Sequence, residues 1–299
     1  MPENDLSPLE GGSLIWRLSV IEAFEAKLKE LAGKRKAPRG YLPWDEFIEG
    51  LPSYGRNRIE AGCVTSEDEL GPFLIMTEIL ANDCPARYAS KAIADAWLHT
   101  KLPVLTFNRP EVLPSYIVFT PLDHPSLARN GWAACFVFVK STPSGLWVTW
   151  TCTTIDCSAG APPIACVDLL LTPEVTESNL RQIVNSRIKD PAGRWLTLWV
   201  IKVALGSWYA HVYAPELITE ARPSGAGFKR QQSTAARGPM GPTWLGKSLQ
   251  IPRRSHSGTA TGRKLRAHWR AGHYHTVRYG PGKAQRRPVW YLPAYVAGK

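Results

Sequence analysis

Ala133-Ala134-Cys135-Phe136-Val137-Phe138-Val139-Lys140, followed by Ser141-Thr142-Pro143-Ser144-Gly145 and then Leu146-Trp147-Val148-Thr149-Trp150-Thr151-Cys152-Thr153-Thr154, is the stretch on which the fold turns. Two runs rich in Val, Phe, Trp and Thr flank a short segment holding Pro and Gly, the pattern of two strands joined by a tight connection. A connection that short forces the strands to run antiparallel. Working outward, Ser115 to Thr120 and Ile164 to Leu171 share the same β-branched and aromatic character, so the middle of the chain reads as an antiparallel sheet.

Helical spacing appears on both sides of it. Ser13 to Ala32 places Leu14, Leu18, Ile21, Phe24, Leu28 and Leu31 three or four residues apart, with Ser13 as its cap. Beyond a stretch punctuated by Pro and Gly, Ser66 and Glu69 form a capping-box pattern ahead of Leu70 to Leu80, and the alanine-rich run Ala86 to Thr100 predicts a third helix. After the strands, Glu174 to Ile188 is amphipathic. Arg194 to Tyr213 is apolar almost all round, which predicts a helix packed on the sheet. Helices, then strands, then helices make an α+β body over residues 1–220.

At 299 residues and 44% hydrophobic, the chain can bury a large core. The start, Met1 to Gly12, has acidic residues and no basic one, and it lacks the apolar run of a secretory signal. The longest apolar stretch, Trp195 to Val212, is broken by Lys202, Gly206, Ser207 and His211, so no membrane partner is expected and the chain reads as cytoplasmic. The six cysteines, Cys63, Cys84, Cys135, Cys152, Cys157 and Cys166, are scattered without paired zinc spacing and read as core thiols.

Charge divides the chain unevenly. Net charge is +11, yet residues 221–299 hold sixteen Lys or Arg and no Asp or Glu, whereas residues 1–220 are acidic on balance. A continuous cationic segment calls for a polyanion, and nucleic acid is the expected partner, with RNA favoured. Residues 221–262, rich in Gly, Pro, Ser, Thr, Gln and Arg, read as a basic linker. One island within it, Pro242 to Leu249, offers Trp244, Leu245 and Leu249 for docking on a neighbouring surface. Residues 263–299 read as a small β module, two short strands flanking Gly280-Pro281-Gly282. A lone hairpin is marginal in water, so this one needs another sheet or a ligand.

In the run Arg263 to Tyr279 cations alternate with aromatics. Arg263, Lys264, Arg266, Arg270, Arg278, Arg286 and Arg287 are the candidates for phosphate neutralisation, and Trp269, Tyr274, Tyr279 and Trp290 for base stacking. As one strand, this run would carry Trp269, His273, His275 and Val277 on one face and His268, Arg270, Tyr274 and Arg278 on the other, unless Gly272 breaks the parity with a bulge. Two further readings stay open. In one, His268 and His273 act as acid and base and Arg270 holds the phosphate of a metal-independent, toxin-like endoribonuclease. In the other, the tail anchors a structural subunit in a ribonucleoprotein or another protein complex. Metal binding at His273-x-His275 is disfavoured by the missing carboxylates and the flanking arginines, so no metal and no cofactor are expected.

The ordered series Trp244-Leu245-Gly246, His268-Trp269-Arg270-x-Gly272-His273, Tyr279-Gly280-Pro281-Gly282 and Val289-Trp290-Tyr291-Leu292-Pro293 resembles the C-terminal region of uncharacterised bacterial, plasmid and phage-borne proteins ending in an H-W-R-R-G-H-type segment. The resemblance covers about the last fifth of the chain and implies a prokaryotic setting, a mobile element or defence locus, without supplying a reaction. This chain carries Ala271 and His275 where further basic residues are expected. Elsewhere there is no GxGxxG at a strand end, no HExxH and no GxSxG, which removes support for the corresponding dinucleotide-binding and protease classes.

Overall fold

The computed structural model describes residues 14–32, 37–62, 70–81, 84–101, 115–122, 124–129, 132–154, 165–172, 176–219, 242–251, 253–254 and 268–296. The Ser66 and Glu69 capping pattern, the Ser13 cap and Lys34 to Lys36 fall outside these residues.

The quoted hairpin forms as read. Strand β3 (Trp132–Thr142) pairs antiparallel with β4 (Gly145–Thr154), which pairs antiparallel with β5 (Ala165–Leu171). On its other side β3 pairs antiparallel with β2 (Tyr116–Phe119). Beyond β2 the sheet changes sense. Strand β1 (Ala86–Ala89) runs parallel to β2 and also to β7 (Thr243–Leu245), and β6 (Ile218–Thr219) closes that edge. The result is a seven-stranded sheet in the order β5-β4-β3-β2-β1-β7-β6.

Both faces of this sheet are covered by helices, and the period-2 alternation of its strands feeds two separate cores. Cys135, Val137 and Val139 of β3 join Tyr116, Val118, Val148 and Trp150 on one face. There they meet α4 (Lys91–Leu98), α6 (Glu177–Arg187) and the long α7 (Pro191–Tyr213). Phe136 and Phe138 point the opposite way with Ile117 and Phe119, against α1 (Leu14–Ala32), α2 (Trp44–Glu60) and α3 (Gly71–Ala81). A short helix α5 (Pro125–Ala128), capped by His124, sits on the α7 side. Two-sided burial explains why Tyr116–Phe119 of β2 and Cys135 to Val139 of β3 are apolar at every position rather than at alternate ones.

Local signals define the ends of α6 and α7. Thr176 accepts a hydrogen bond from the Asn179 amide at 3.2 Å, and Asp190 accepts one from Gly193 at 2.6 Å just ahead of Pro191. Two segments differ from their sequence reading. Ala86–Ala89 is a strand and only Lys91–Leu98 is helix, because Arg87 and Tyr88 find backbone partners on both sides, in β2 and β7. Ser90 then caps the shortened helix through the Ile93 amide at 3.2 Å. The stretch punctuated by Pro and Gly contains α2, which carries Pro52 within it; Trp44, Leu51 and Ile59 are held by the core under the sheet. The Trp244 island docks as strand β7 between β1 and β6, with Trp244 in one core and Leu245 in the other.

Candidate nucleic-acid interface

The C-terminal residues form two small sheets. The hairpin β10 (His273–Tyr279) and β11 (Gln285–Tyr291) turns through the Gly280-Pro281-Gly282 segment. Strand β12 (Ala294–Val296) lies between β9 (His268–Arg270), antiparallel to it, and β8 (Arg253–Arg254), parallel to it. Each strand expected from the sequence is therefore split, at Ala271-Gly272 and at Leu292-Pro293.

Gly272 explains the break. Its amide donates to the His99 carbonyl at 2.9 Å, and its carbonyl accepts from the Lys101 amide at 2.9 Å. A Cβ at this position would lie 2.6 Å from Thr100 Oγ1 and 2.7 Å from Pro293 Cδ, so only glycine allows this approach. The chain is pinned to the end of α4 at Gly272 and leaves β9 and β10 in different sheets.

The hairpin also rests on α7. The Tyr209 hydroxyl donates to the Pro288 carbonyl at 3.1 Å, and the Tyr209 ring meets the Tyr274 ring edge-on at 4.6 Å. Tyr274 stacks in turn on Trp290, with 6.1 Å between centroids and 15° between planes. Trp290 Nε1 donates to Thr100 Oγ1 at 3.1 Å, and that hydroxyl donates to the Ala96 carbonyl at 2.6 Å. Burial raises the ionisation of the Tyr274 phenol well above its ordinary range, so its hydroxyl stays neutral. A second anchor joins β9 to α4: the His99 and Trp269 rings stack at 4.2 Å and 10°, and Tyr295 meets the same indole at 5.5 Å.

Strand alternation gives the hairpin two unlike faces. Tyr274, Thr276, Arg278, Arg286, Pro288 and Trp290 share the inner face, with the two aromatics at the α7 end. Arg278 and Arg286 sit directly opposite one another further along, both exposed. Two like charges at paired positions are destabilising in an isolated sheet. No carboxylate in residues 221–299 relieves them. On the outer face, His273 and Tyr291 are parallel within 6° at 5.2 Å, His275 meets Tyr291 edge-on at 6.0 Å, and the Arg287 guanidinium lies 5.3 Å from the Tyr279 ring centre. Tyr279 is 42% exposed and Tyr291 47%.

The sequence-derived candidates are thus dispersed. Arg263, Lys264 and Arg266 lie outside the described residues. His268 and Arg270 share the exposed face of β9, whereas His273 belongs to the outer face of the hairpin, across the Gly272 break. Trp269, Tyr274 and Trp290 have internal partners; Tyr279, Arg278, Arg286 and Arg287 are exposed. Tyr291 was absent from the candidates drawn from sequence, as were the anchors His99, Thr100 and Tyr209. The signal for Tyr291 is the register, which pairs it with His273, and reading that register requires the turn to be counted correctly. Among the described residues no cluster of three or more His, Cys, Asp or Glu is arranged for a metal, and no helix is long and apolar enough to cross a membrane.

Comparison with known proteins returns no match among curated proteins and none among solved structures. Residues 209–298, about three-tenths of the chain, match the family model described as AcrVA2-like, the anti-CRISPR type V subtype A2 family. The match begins at Tyr209, the α7 residue that holds the hairpin, and a mobile-element, defence-related setting is consistent with it.

Proposed function

We propose that this chain is a prokaryotic nucleic-acid-binding protein, with RNA or another single strand favoured, that serves a mobile element against CRISPR defence. The observation that carries the reading is the Arg278 and Arg286 pair, two exposed like charges held opposite one another in a segment without a carboxylate. A polyanion converts that repulsion into attraction, and the cations at Arg270 and Arg287 extend the same field along the module. The family match supports the setting, because an anti-CRISPR protein acts on a system whose effector carries nucleic acid of its own.

The test is fluorescence anisotropy with labelled RNA across a salt series in EDTA. Binding is expected to weaken steeply with salt, and Arg278→Glu/Arg286→Glu to remove most of it, lowering the log–log salt slope by roughly 0.7–0.9 per lost phosphate contact. Arg266→Glu/Arg270→Glu is expected to act in the same direction. Affinity indifferent to salt and to both charge reversals would refute the reading. Following the same RNA for cleavage, with a His268→Ala/His273→Ala variant beside the wild type, separates a ribonuclease from a binding protein. A second reading, docking on a protein of the CRISPR apparatus, draws on the family name; it predicts association that survives nuclease treatment.

A further inference from the structure

We propose that the outer face of the β10–β11 hairpin holds unpaired bases, which makes a single strand, and not a duplex, its ligand; this rests on the nucleic-acid reading above. The two faces of the hairpin divide the aromatic side chains by what they do. Tyr274 and Trp290 on the inner face are bound to Tyr209 and Thr100 and secure the module to the body. The rings on the outer face have no such task, since Tyr279 and Tyr291 are 42% and 47% exposed and their ring partners are other side chains of the same face. An exposed ring contributes little to stability in water, yet each offers a flat surface on which a base stacks whatever its identity.

The spacing forms two stations. The parallel His273 and Tyr291 pair lies at one end of the face and the Tyr279 and Arg287 pair at the other. Six residue steps along β10 separate them, roughly 20 Å at the rise of a strand. Half-buried Val277 and Val289 lie on the face between these stations. Charge is placed around this strip: of the hairpin arginines only Arg287 shares the aromatic face, while Arg278 and Arg286 occupy the opposite face toward the turn. A duplex keeps its bases stacked inside and presents phosphates, which this apolar strip does not match. A single strand supplies bases for the strip and phosphates for its cationic margin.

The experiment uses the full chain and three labelled probes of equal length: a single-stranded RNA of non-pairing sequence, that RNA annealed into a blunt duplex, and an abasic strand. The wild type is expected to bind the single strand at least tenfold more tightly than either other probe. Tyr279→Ala/Tyr291→Ala is expected to weaken the single strand tenfold or more and the duplex and abasic strand less than threefold, with Tyr279→Phe/Tyr291→Phe within twofold of wild type. Circular dichroism confirms the fold of both variants. Equal effects on all three probes, or no effect of the alanine pair, would overturn the stacking proposal; if Arg278→Glu/Arg286→Glu still abolished binding, the nucleic-acid reading would stand without it. A wild type that binds none of the probes at low salt, or binds polyglutamate instead, would overturn both.

Discussion

Helix α7 and the β10–β11 hairpin are both rich in aromatic side chains and use them in opposite ways. In α7, Trp199, Trp208 and Tyr209 are almost wholly buried between the sheet and its neighbours. In the hairpin, one face is joined to that helix through Tyr274, and the other leaves Tyr279 and Tyr291 in solvent. Composition is the same kind of evidence in both regions, yet it marks buried packing in one and a face left exposed in the other, the face proposed above to bind bases. What separates them is whether a side chain meets a partner from a distant part of the chain.

The comparison breaks most sharply at its buried end. Trp199→Ala removes a side chain that is 1% exposed from the larger core and is expected to cost about 3–5 kcal/mol, read as a lowered urea midpoint. If the loss were below about 1 kcal/mol, α7 would not be the centre of that core.

A smaller effect sharpens the division within the hairpin. Tyr274→Ala is expected to destabilise by about 1.5–3 kcal/mol, since it strips the inner face of its contact with Tyr209 and Trp290. Tyr291→Ala, on the outer face of the same two strands, is expected to change stability by no more than about 0.5 kcal/mol. Equal losses at the two positions would erase the distinction between an anchoring face and an open face.

The smallest effect concerns pH. Burial, the largest influence, lowers the proton affinity of His99; Asp95 opposes it, while Lys202 and His124 add to it. His211 on α7 is lowered by burial as well. A histidine whose folded value lies below its unfolded one, about 6.5, contributes stability above that pH and loses it as pH falls through the folded value. The melting temperature should therefore drop between pH 7.5 and 5.5. His99→Phe, which keeps a ring against Trp269, should reduce the drop. An unchanged drop in that variant would show that the contact between β9 and α4 does not respond to His99 protonation.

These contrasts show where sequence periodicity carries information and where it does not. The β3–β4 hairpin was legible because a Pro and Gly connection and flanking runs of β-branched and aromatic residues agree within a few positions. The four residues of β1 carry no such pattern, and they are a strand because β2 and β7 supply backbone partners. Within β10 the alternation correctly places His273, His275 and Val277 opposite Tyr274 and Arg278. It fails to extend back to Trp269, because Gly272 is pinned to His99 and Lys101 and the parity ends there. The candidate phosphate ligands were visible as composition, whereas Tyr291 emerged only from cross-strand register.

The sequence by itself determined the apolar strands of the body and the confinement of positive charge to the C-terminal residues, both properties of neighbouring positions. Only the tertiary structure decided which aromatic rings are anchors and which remain open. That choice depends on contacts such as Trp290 with Thr100 and Pro288 with Tyr209, which join positions far apart in the chain, and no local period encodes the partner a side chain will meet.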